Sequence, residues 1–229
     1  MLLAQAHACR REAMRRSGEP RCVGKALARA AVAPAGATAH SRSRMADGAP
    51  PLVGQFARRI PPGDDRERLV CRDCGFVLYE NPRVIVGAVV HHEGRILLCR
   101  RAIPPRAGFW TLPAGYLELH ESPAEGACRE AWEEARARIG IETLLAVYTI
   151  PHLSQVQLMY RARLLDPAEV AAGPESQEVA LFAWEAIPWL ELAFPSVHWA
   201  LEHYHQTRDR SVFAPYANPE EGPALAEHE

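Results

Sequence analysis

Apolar side chains recur along the middle of the chain with spacings that predict a β-sheet. Two runs rich in valine, isoleucine and leucine, 84–92 and 95–102, are separated by Glu93-Gly94, a pair typical of a hairpin turn. Further apolar or alternating runs predict strands at 144–150, 155–165 and 180–186. We expect these strands to run in both directions and to form a mixed sheet.

Two helices are predicted to flank the sheet. Ser122 can cap a helix whose first position is Pro123, and Glu125 completes a capping box with Ser122. One narrow face of this helix is made of small residues, Ala124, Ala127, Cys128, Ala131 and Ala135. A second helix is predicted over 195–206, with a stripe of Val197, Ala200, Leu201 and Tyr204. One helix on each side of a mixed sheet is an α/β/α sandwich, of the α/β class.

The first 50 residues differ in composition from the rest of the chain. Residues 1–44 contain nine lysines and arginines against two acids, a net charge of +7, although the whole chain carries −2. Such an Ala- and Arg-rich stretch is typical of a plastid or mitochondrial transit peptide, or of an extension upstream of a start at Met45 rather than Met1. The second interpretation implies a cytoplasmic protein. Both interpretations make 1–50 non-catalytic, and the alternative is a simply disordered segment that buries too little to fold alone.

The remaining residues bound the domain organisation and the class of partner. They carry a net charge of about −9, which argues against a nucleic-acid-binding core. No run of 18 or more apolar residues predicts a membrane span. A chain of 229 residues accommodates one domain of about 150 residues plus extensions. We predict that domain at 81–210, preceded by a short segment at 51–80 and followed by a flexible tail at 211–229.

Acidic residues gather on the first predicted helix. Glu130 and Glu134 lie one turn apart on its flank, and Glu133 lies further round the same side. Clustered carboxylates repel one another, so they require compensating positive charge, which Arg129 supplies only in part. Oxygen ligands favour a hard divalent cation, with Mg²⁺ the default and Mn²⁺ the usual substitute. The alternative is a solvated helix with ordinary ion pairs.

The spacing of these residues resembles a known motif. The stretch from Gly115 to Ala137, GYLELHESPAEGACREAWEEARA, reads Gly, five residues, Glu121, seven residues, then Arg-Glu-apolar-x-Glu-Glu. This pattern is similar to the box of the Nudix hydrolases, which have an α/β/α sandwich fold. Arg136 stands where that motif has a later glycine, which puts the exit from the helix in question.

The resemblance implies a role for each matching position. Glu130 and Glu134 match the principal metal ligands, and Glu133 matches a ligand or the general base. Arg129 and Glu121 match an ion pair that orients the catalytic group. The carbonyl of Ala114 matches a backbone ligand that completes the metal shell. The general base varies within the family, and the choice of base stays open.

Cys71-Arg-Asp-Cys74 has the knuckle spacing of a zinc ribbon. A ribbon requires a second cysteine pair, and the expected stretch upstream has none. The phrase ENPRVIVG, which follows directly, resembles a Nudix branch with an N-terminal zinc ribbon. We therefore expect 51–80 to be a degenerate ribbon-like segment without zinc, with metal held by Cys71, Cys74 and other ligands as the alternative. Cys99 and Cys128 are interpreted as buried small residues, and no disulfide framework is indicated.

Two arginines and a tryptophan before the box are candidates for substrate binding. Arg101 and Arg106 could clamp phosphates beside Trp110, whose ring could support a base. In the alternative interpretation Trp110 packs in the core and the arginines are solvated.

The branch that the sequence resembles contains ADP-ribose and FAD pyrophosphatases. It implies Mg²⁺-dependent hydrolysis of a nucleoside diphosphate linked to another moiety, with FAD or ADP-ribose favoured and AMP released. The partner would be a small nucleotide, and a homodimer is a family expectation. The alternatives are an NADH pyrophosphatase, whose proline-rich phrase after the box is missing here, a sensor that binds ADP-ribose-like ligands without cleaving them, and a nucleoside triphosphate hydrolase.

Overall fold

The computed structural model describes residues 55–220, which divide between Glu80 and Asn81 into two compact units. The first unit is an antiparallel three-stranded sheet in the order β1 (Phe56–Arg59), β2 (Arg68–Cys71) and β3 (Val77–Leu78). A tight turn joins β2 to β3, in which the Gly75 N–H donates to the Cys71 carbonyl at 3.0 Å. The predicted extension 1–50 lies outside the described residues.

The second unit is built on a seven-stranded sheet. Its strands are β4 (Arg83–His92), β5 (Arg95–Arg101), β6 (Trp110–Thr111), β7 (Ala114–Tyr116), β8 (Ile139–Ile150), β9 (Gln155–Leu164) and β10 (Ser176–Ala183). The main order is β10-β5-β4-β9-β8, with β6 paired to β5 and β7 paired to β4. Strand β4 runs parallel to β9 and antiparallel to β5, so the sheet is mixed as predicted.

Strands β4 and β5 form an opening in this sheet. They pair only next to their turn, through His91↔Ile96 and His92↔Arg95. Further along, β4 pairs with β7 and β5 pairs with β6. The short strand β7 therefore leads the chain from the middle of the sheet into the loop before the first helix.

Helices α1 (Pro123–Ala135) and α2 (Pro195–Thr207) pack with two separate apolar clusters of the sheet. The alternation of side chains along β4 and β5 explains the separation. Val89 and Leu98 lie in the cluster that contains α2, whereas Ala88, Val90 and Leu97 lie in the cluster that contains α1. The predicted α/β/α sandwich is confirmed. Within residues 55–220, neither helix is long and apolar enough to cross a membrane.

Several element bounds differ from the predictions. Strand β8 begins at Ile139, five residues earlier than expected, because Gly140 and Glu142 interrupt its apolar run while its pairing with β9 continues past a register shift at Glu142. Strand β10 begins at Ser176 and ends at Ala183, where a short 3₁₀ helix (Trp184–Ala186) follows. Strands β6 and β7 were not predicted, because two or three residues are too few to show a period.

Part of the stretch 211–229, predicted as a flexible tail, pairs with the sheet. Tyr216 pairs with β8 through two backbone hydrogen bonds, from its N–H to the Leu145 carbonyl at 2.9 Å and from the Val147 N–H to its own carbonyl at 2.8 Å. The Asn218 side chain bonds both backbone groups of Thr149 at 2.8 Å. Apolar packing and strand-like hydrogen bonds therefore hold this stretch against the sheet. Its polar, proline-containing sequence is the same as that of an ordinary loop and did not predict the pairing.

Arg136 ends α1 in a left-handed backbone conformation, with φ of 51° and ψ of 24°. In this conformation the N–H groups of Arg136 and Ala137 donate to the carbonyls of Trp132 (3.0 Å) and Ala131 (3.1 Å). Glycine adopts this conformation without the clash that a Cβ atom causes. The physical reason for a glycine at this position of the motif is thus the geometry of the helix end, and the arginine preserves that geometry at a cost.

We expect Arg136→Gly to be more stable than Arg136→Ala by about 1 kcal/mol in the free energy of unfolding, measured with urea. Both variants remove the same side chain, but only glycine relaxes the left-handed residue. Equal stability of the two variants would show that the helix end carries no strain.

Candidate active site

A capping box fixes where α1 begins. The Ser122 hydroxyl accepts a bond from the Glu125 N–H at 3.3 Å, and the Glu125 carboxylate accepts one from the Ser122 N–H at 2.8 Å. Bonds to Ser122 also lower the pKa of Glu125. Because the helix start is fixed in this way, the angular positions of Arg129, Glu130 and Glu134 are fixed as well.

The Arg129 guanidinium connects the loop before α1 to the helix. It bonds both Glu121 oxygens, at 2.7 and 3.0 Å, and the Tyr116 carbonyl at 2.9 Å. Its remaining nitrogen donates to Glu130 at 2.6 Å and to Glu133 at 3.0 Å. The guanidinium holds the pKa of Glu121 at about 2, with help from the Glu118 N–H. The pair expected from the sequence is therefore present, and it is bidentate.

Glu130 and Glu134 are buried, with 8% and 6% of their surface exposed. The Glu130 carboxylate lies directly against Gly115, where a Cβ atom would fall 2.5 Å from its oxygens. The Glu134 carboxylate accepts a bond from the Ala114 N–H at 3.2 Å. The absence of a side chain at Gly115 therefore creates the space that the Glu130 carboxylate occupies.

Burial leaves these two carboxylates short of positive charge. Desolvation is the main cause that raises the pKa of Glu134 to about 8, and the neighbouring Glu130 raises it further. Desolvation also raises the pKa of Glu130, although Arg129 opposes the shift. Among residues 55–220, Glu134 makes no salt bridge within 4 Å. A buried carboxyl with a pKa of about 8, beside a second buried carboxyl whose pKa is also raised, forms a site to which a cation would contribute stability.

The donor set fits a small hard cation. Carboxylate oxygens are the ligands that Mg²⁺ and Mn²⁺ prefer, and Mg²⁺ commonly takes only one or two protein carboxylates and keeps several waters. No group of three or more His, Cys, Asp or Glu side chains converges on a metal-binding geometry anywhere in 55–220. Glu130 and Glu134 would therefore hold the ion with water and substrate oxygens. The structure shows Ala114 in contact through its N–H, and the role of its carbonyl stays a prediction.

Glu133 and Glu175 flank the buried pair. Glu133 is exposed and bonded to Arg129. Glu175, which the sequence analysis missed, lies in the loop before β10, and its charge raises the pKa values of Glu130 and Glu134. Its only signal in the sequence was a position just before a predicted strand.

The three residues predicted to bind substrate separate into two groups. Trp110 is in the core, 6% exposed and packed edge-on against Phe182 at 4.9 Å between ring centroids, so the prediction that it supports a base is wrong. Trp110 lies in the apolar cluster that contains α2, where its large ring buries more apolar surface than it would at the site. Arg106 is exposed, and its guanidinium lies over the Phe109 ring at 5.0 Å.

Arg101 is the predicted substrate residue whose charge acts on the acidic site. Its charge lowers the pKa of Glu134, which places the guanidinium within electrostatic reach of the buried carboxylates. The Pro105 carbonyl accepts a bond from its Nε at 2.8 Å, and its guanidinium lies over the Phe194 ring at 5.3 Å. Arg101 is therefore pre-oriented beside the acidic cluster.

The raised pKa of Glu134 predicts how stability depends on pH in metal-free protein. The folded-state carboxyl binds a proton below about pH 8, whereas the unfolded one does so only below about 4.5. Between these values the native state binds more protons, so the contribution of Glu134 to stability is lost as the pH rises from 4.5 to 8. In urea unfolding with a chelator, the free energy of unfolding of the wild type should therefore fall relative to that of Glu134→Gln as the pH rises from 4.5 to 8.

Added Mg²⁺ should reverse this trend for the wild type at pH 8 and have little effect on Glu134→Gln. Two stability curves that stay parallel from pH 4.5 to 8 would show that Glu134 is not destabilised by burial.

Comparison with known proteins connects this geometry to a family. The family described as NUDIX domain matches residues 81–206, and the family described as Nudix N-terminal matches residues 54–80. A crystal structure of a NUDIX hydrolase from Nitrosomonas europaea is 44% identical, with a TM-score of 0.67 over 71% of this chain and 93% of that one.

Two curated relatives are similar over shorter regions. A MutT-like protein from Streptomyces ambofaciens is 40% identical over 34% of this chain and 49% of its own length. An ADP-ribose pyrophosphatase from Methanocaldococcus jannaschii is 29% identical over 51% of this chain and 70% of its own length. The chain thus spans about half the length of the first of these relatives.

Proposed function

Since the chain belongs to the Nudix family and its residues 54–80 match the Nudix N-terminal family, we propose that it is a Mg²⁺-dependent pyrophosphohydrolase. Its substrate would be a nucleoside diphosphate linked to a second moiety, with FAD and ADP-ribose favoured. Hydrolysis would release AMP and a second phosphate monoester.

One observation supports this proposal above all others. Glu130 and Glu134 are buried with too little positive charge around them, next to a glycine that leaves room for the carboxylates. A carboxylate cluster with a merely structural role would be neutralised by arginine or exposed to water. The negative charge of this cluster is only partly balanced by the protein, and a bound cation would balance the rest.

Each residue of the site has a part in the proposed reaction. A bound divalent cation would offset the negative charge of the phosphates and lower the pKa of the attacking water. Glu130 and Glu134 would hold that cation, and the Arg129–Glu121 pair keeps the Gly115 loop and α1 in fixed relation. Either Glu133 or Glu175 accepts the proton of the water.

Arg101 and Arg106 form the phosphate-binding side of the proposed site. A guanidinium binds phosphate oxygens in a bidentate manner and keeps its charge at any physiological pH. Arg101 has its orientation set by the Pro105 carbonyl before substrate arrives. Phe109, beneath Arg106, replaces Trp110 as the ring available to a planar group of the substrate.

The name of one relative supports the choice of substrate class. The protein from Methanocaldococcus jannaschii that matches this chain is an ADP-ribose pyrophosphatase. FAD shares with ADP-ribose the AMP moiety and the diphosphate bridge, so the same cation site would serve both. NADH is the alternative substrate, and non-catalytic binding of ADP-ribose-like ligands is the alternative function.

Further proposals follow from the family and the composition. Mn²⁺ would substitute for Mg²⁺, since both accept oxygen ligands. We propose a homodimer acting on small nucleotides, with no binding to nucleic acid or membranes. It would be located in the cytoplasm, or in a plastid or mitochondrion if 1–50 is a transit peptide.

Incubation with FAD, ADP-ribose, NADH and a nucleoside triphosphate, each with Mg²⁺, should release AMP from the first two most efficiently. Glu134→Gln should reduce kcat by about 10²–10⁴-fold, because it removes a charged ligand from the site. Glu185→Gln, a matched change at an exposed position, should leave kcat unaltered. Product analysis by chromatography measures both effects.

The alternatives give different results in the same assay. Binding of ADP-ribose without product would identify a sensor, and pyrophosphate release from the triphosphate would identify a different hydrolase. Wild-type turnover by Glu134→Gln would contradict the proposed site.

Arg101→Gln should raise KM for ADP-ribose by about tenfold, because one charge-assisted phosphate contact is lost. Arg95→Gln, at an arginine next to the far turn of β4 and β5, serves as the control and should leave KM unchanged. A KM that does not respond to Arg101→Gln would remove this residue from the phosphate site.

A further inference from the structure

The chain between a short 3₁₀ helix (Pro167–Glu169) and β10 crosses the last turn of α1 at very close range. The Gly173 N–H donates to the Glu134 carbonyl at 2.9 Å, and the Ala171 N–H donates to the Ala135 carbonyl at 3.0 Å. These bonds satisfy two carbonyls that a helix end leaves without an intrahelical partner. The crossing segment is thus attached to the backbone of the residue that carries the buried Glu134 carboxylate.

Only glycine allows this approach. A Cβ atom at position 173 would overlap the Glu133 carbonyl oxygen, and the carbonyl carbon would be 2.8 Å away. Both obstacles are helix backbone, which cannot move aside as a flexible side chain can. The distance between the crossing segment and α1 is therefore set by the absence of a side chain at Gly173.

The same segment is attached at its other end to β5. The Ala102 N–H donates to the Glu175 carbonyl at 2.8 Å, and Ser176 pairs with Arg101 in the sheet. The Ser176 N–H donates to the Gly173 carbonyl at 3.1 Å, which closes a turn around Glu175. Backbone hydrogen bonds thus connect α1, Glu175 and Arg101 through three consecutive steps.

This arrangement controls distances between charged groups of the site. Glu175 and Arg101 both act electrostatically on Glu134, with opposite signs. Neither lies on α1, so their positions relative to Glu134 depend on the crossing segment. A displacement of roughly 1 Å at a catalytic centre costs about a hundredfold in rate.

We propose that Gly173 is a positioning residue, which sets the separation of Glu175 and Arg101 from the buried carboxylates of α1. This inference rests on the proposed function, because it concerns the same cation and phosphate site. It goes beyond that function by assigning a role to a residue that has no side chain and lies outside the acidic motif.

The purified full chain with Gly173→Ala tests the proposal, with Gly140→Ala as the matched control. A Cβ at Gly140 would meet only the Leu165 side chain, at 3.3 Å, which can adjust. Gly173→Ala should weaken Mn²⁺ binding, measured by calorimetry without substrate, by about 10–100-fold. It should also reduce kcat by about a hundredfold. Gly140→Ala should change neither quantity by more than about twofold.

A double-mutant cycle separates positioning from simple loss of stability. If Gly173 acts through Glu175, the effect of Gly173→Ala on kcat should shrink to less than about threefold in a Glu175→Gln background. Fully additive effects, or Mn²⁺ binding that Gly173→Ala leaves unchanged, would overturn the proposal.

If Gly173→Ala fails to fold, Glu175→Asp provides the second test, because it withdraws the carboxylate by one methylene and leaves the backbone intact. Weaker Mn²⁺ binding by about tenfold supports the positioning role, and unchanged binding overturns it. Failure of the proposed function has a different signature, since wild-type protein would then cleave none of FAD, ADP-ribose and NADH while the Mn²⁺ measurements remain valid.

Discussion

The burial of two carboxylates on one helix is the constraint around which the second unit is organised. Glu130 and Glu134 are removed from water next to Gly115, and Arg129 neutralises only part of their charge. Burying a charge without full compensation costs stability, so the surrounding elements must hold the carboxylates in place. The fold supplies this support from three directions: the Glu121 loop, strand β7 and the segment through Gly173.

Each of these supports acts through the backbone as well as through side chains. Ala114 donates its N–H to Glu134, the Tyr116 carbonyl accepts from Arg129, and the Gly173 N–H caps the Glu134 carbonyl. Backbone contacts of this kind depend on the path of the chain rather than on residue type. The acidic site therefore depends on the opening between β4 and β5, where β7 pairs with β4, as much as on the helix itself.

This distinction explains how much could be predicted from the sequence. The start of α1, the carboxylate cluster and the Arg129–Glu121 pair follow from spacing along one helix and its loop, and all three are present. The position of Trp110 was predicted wrongly, because a large aromatic residue next to arginines in the sequence is compatible with both a protein core and a binding site. Glu175 and Gly173 were missed because their roles arise from contacts distant in sequence. The packing of Tyr216 on β8 was missed for the same reason.

The strand-like pairing of Tyr216 and Asn218 has a consequence for how the protein behaves in concentrated solution. Strand β8 is the last strand in the sheet order, so its outer backbone groups would otherwise face water. An uncovered strand edge is a template for pairing between molecules. By bonding the backbone groups of Leu145, Val147 and Thr149, this short stretch blocks edge-to-edge pairing of β8 between molecules. Shortened chains that lack it should form insoluble aggregates.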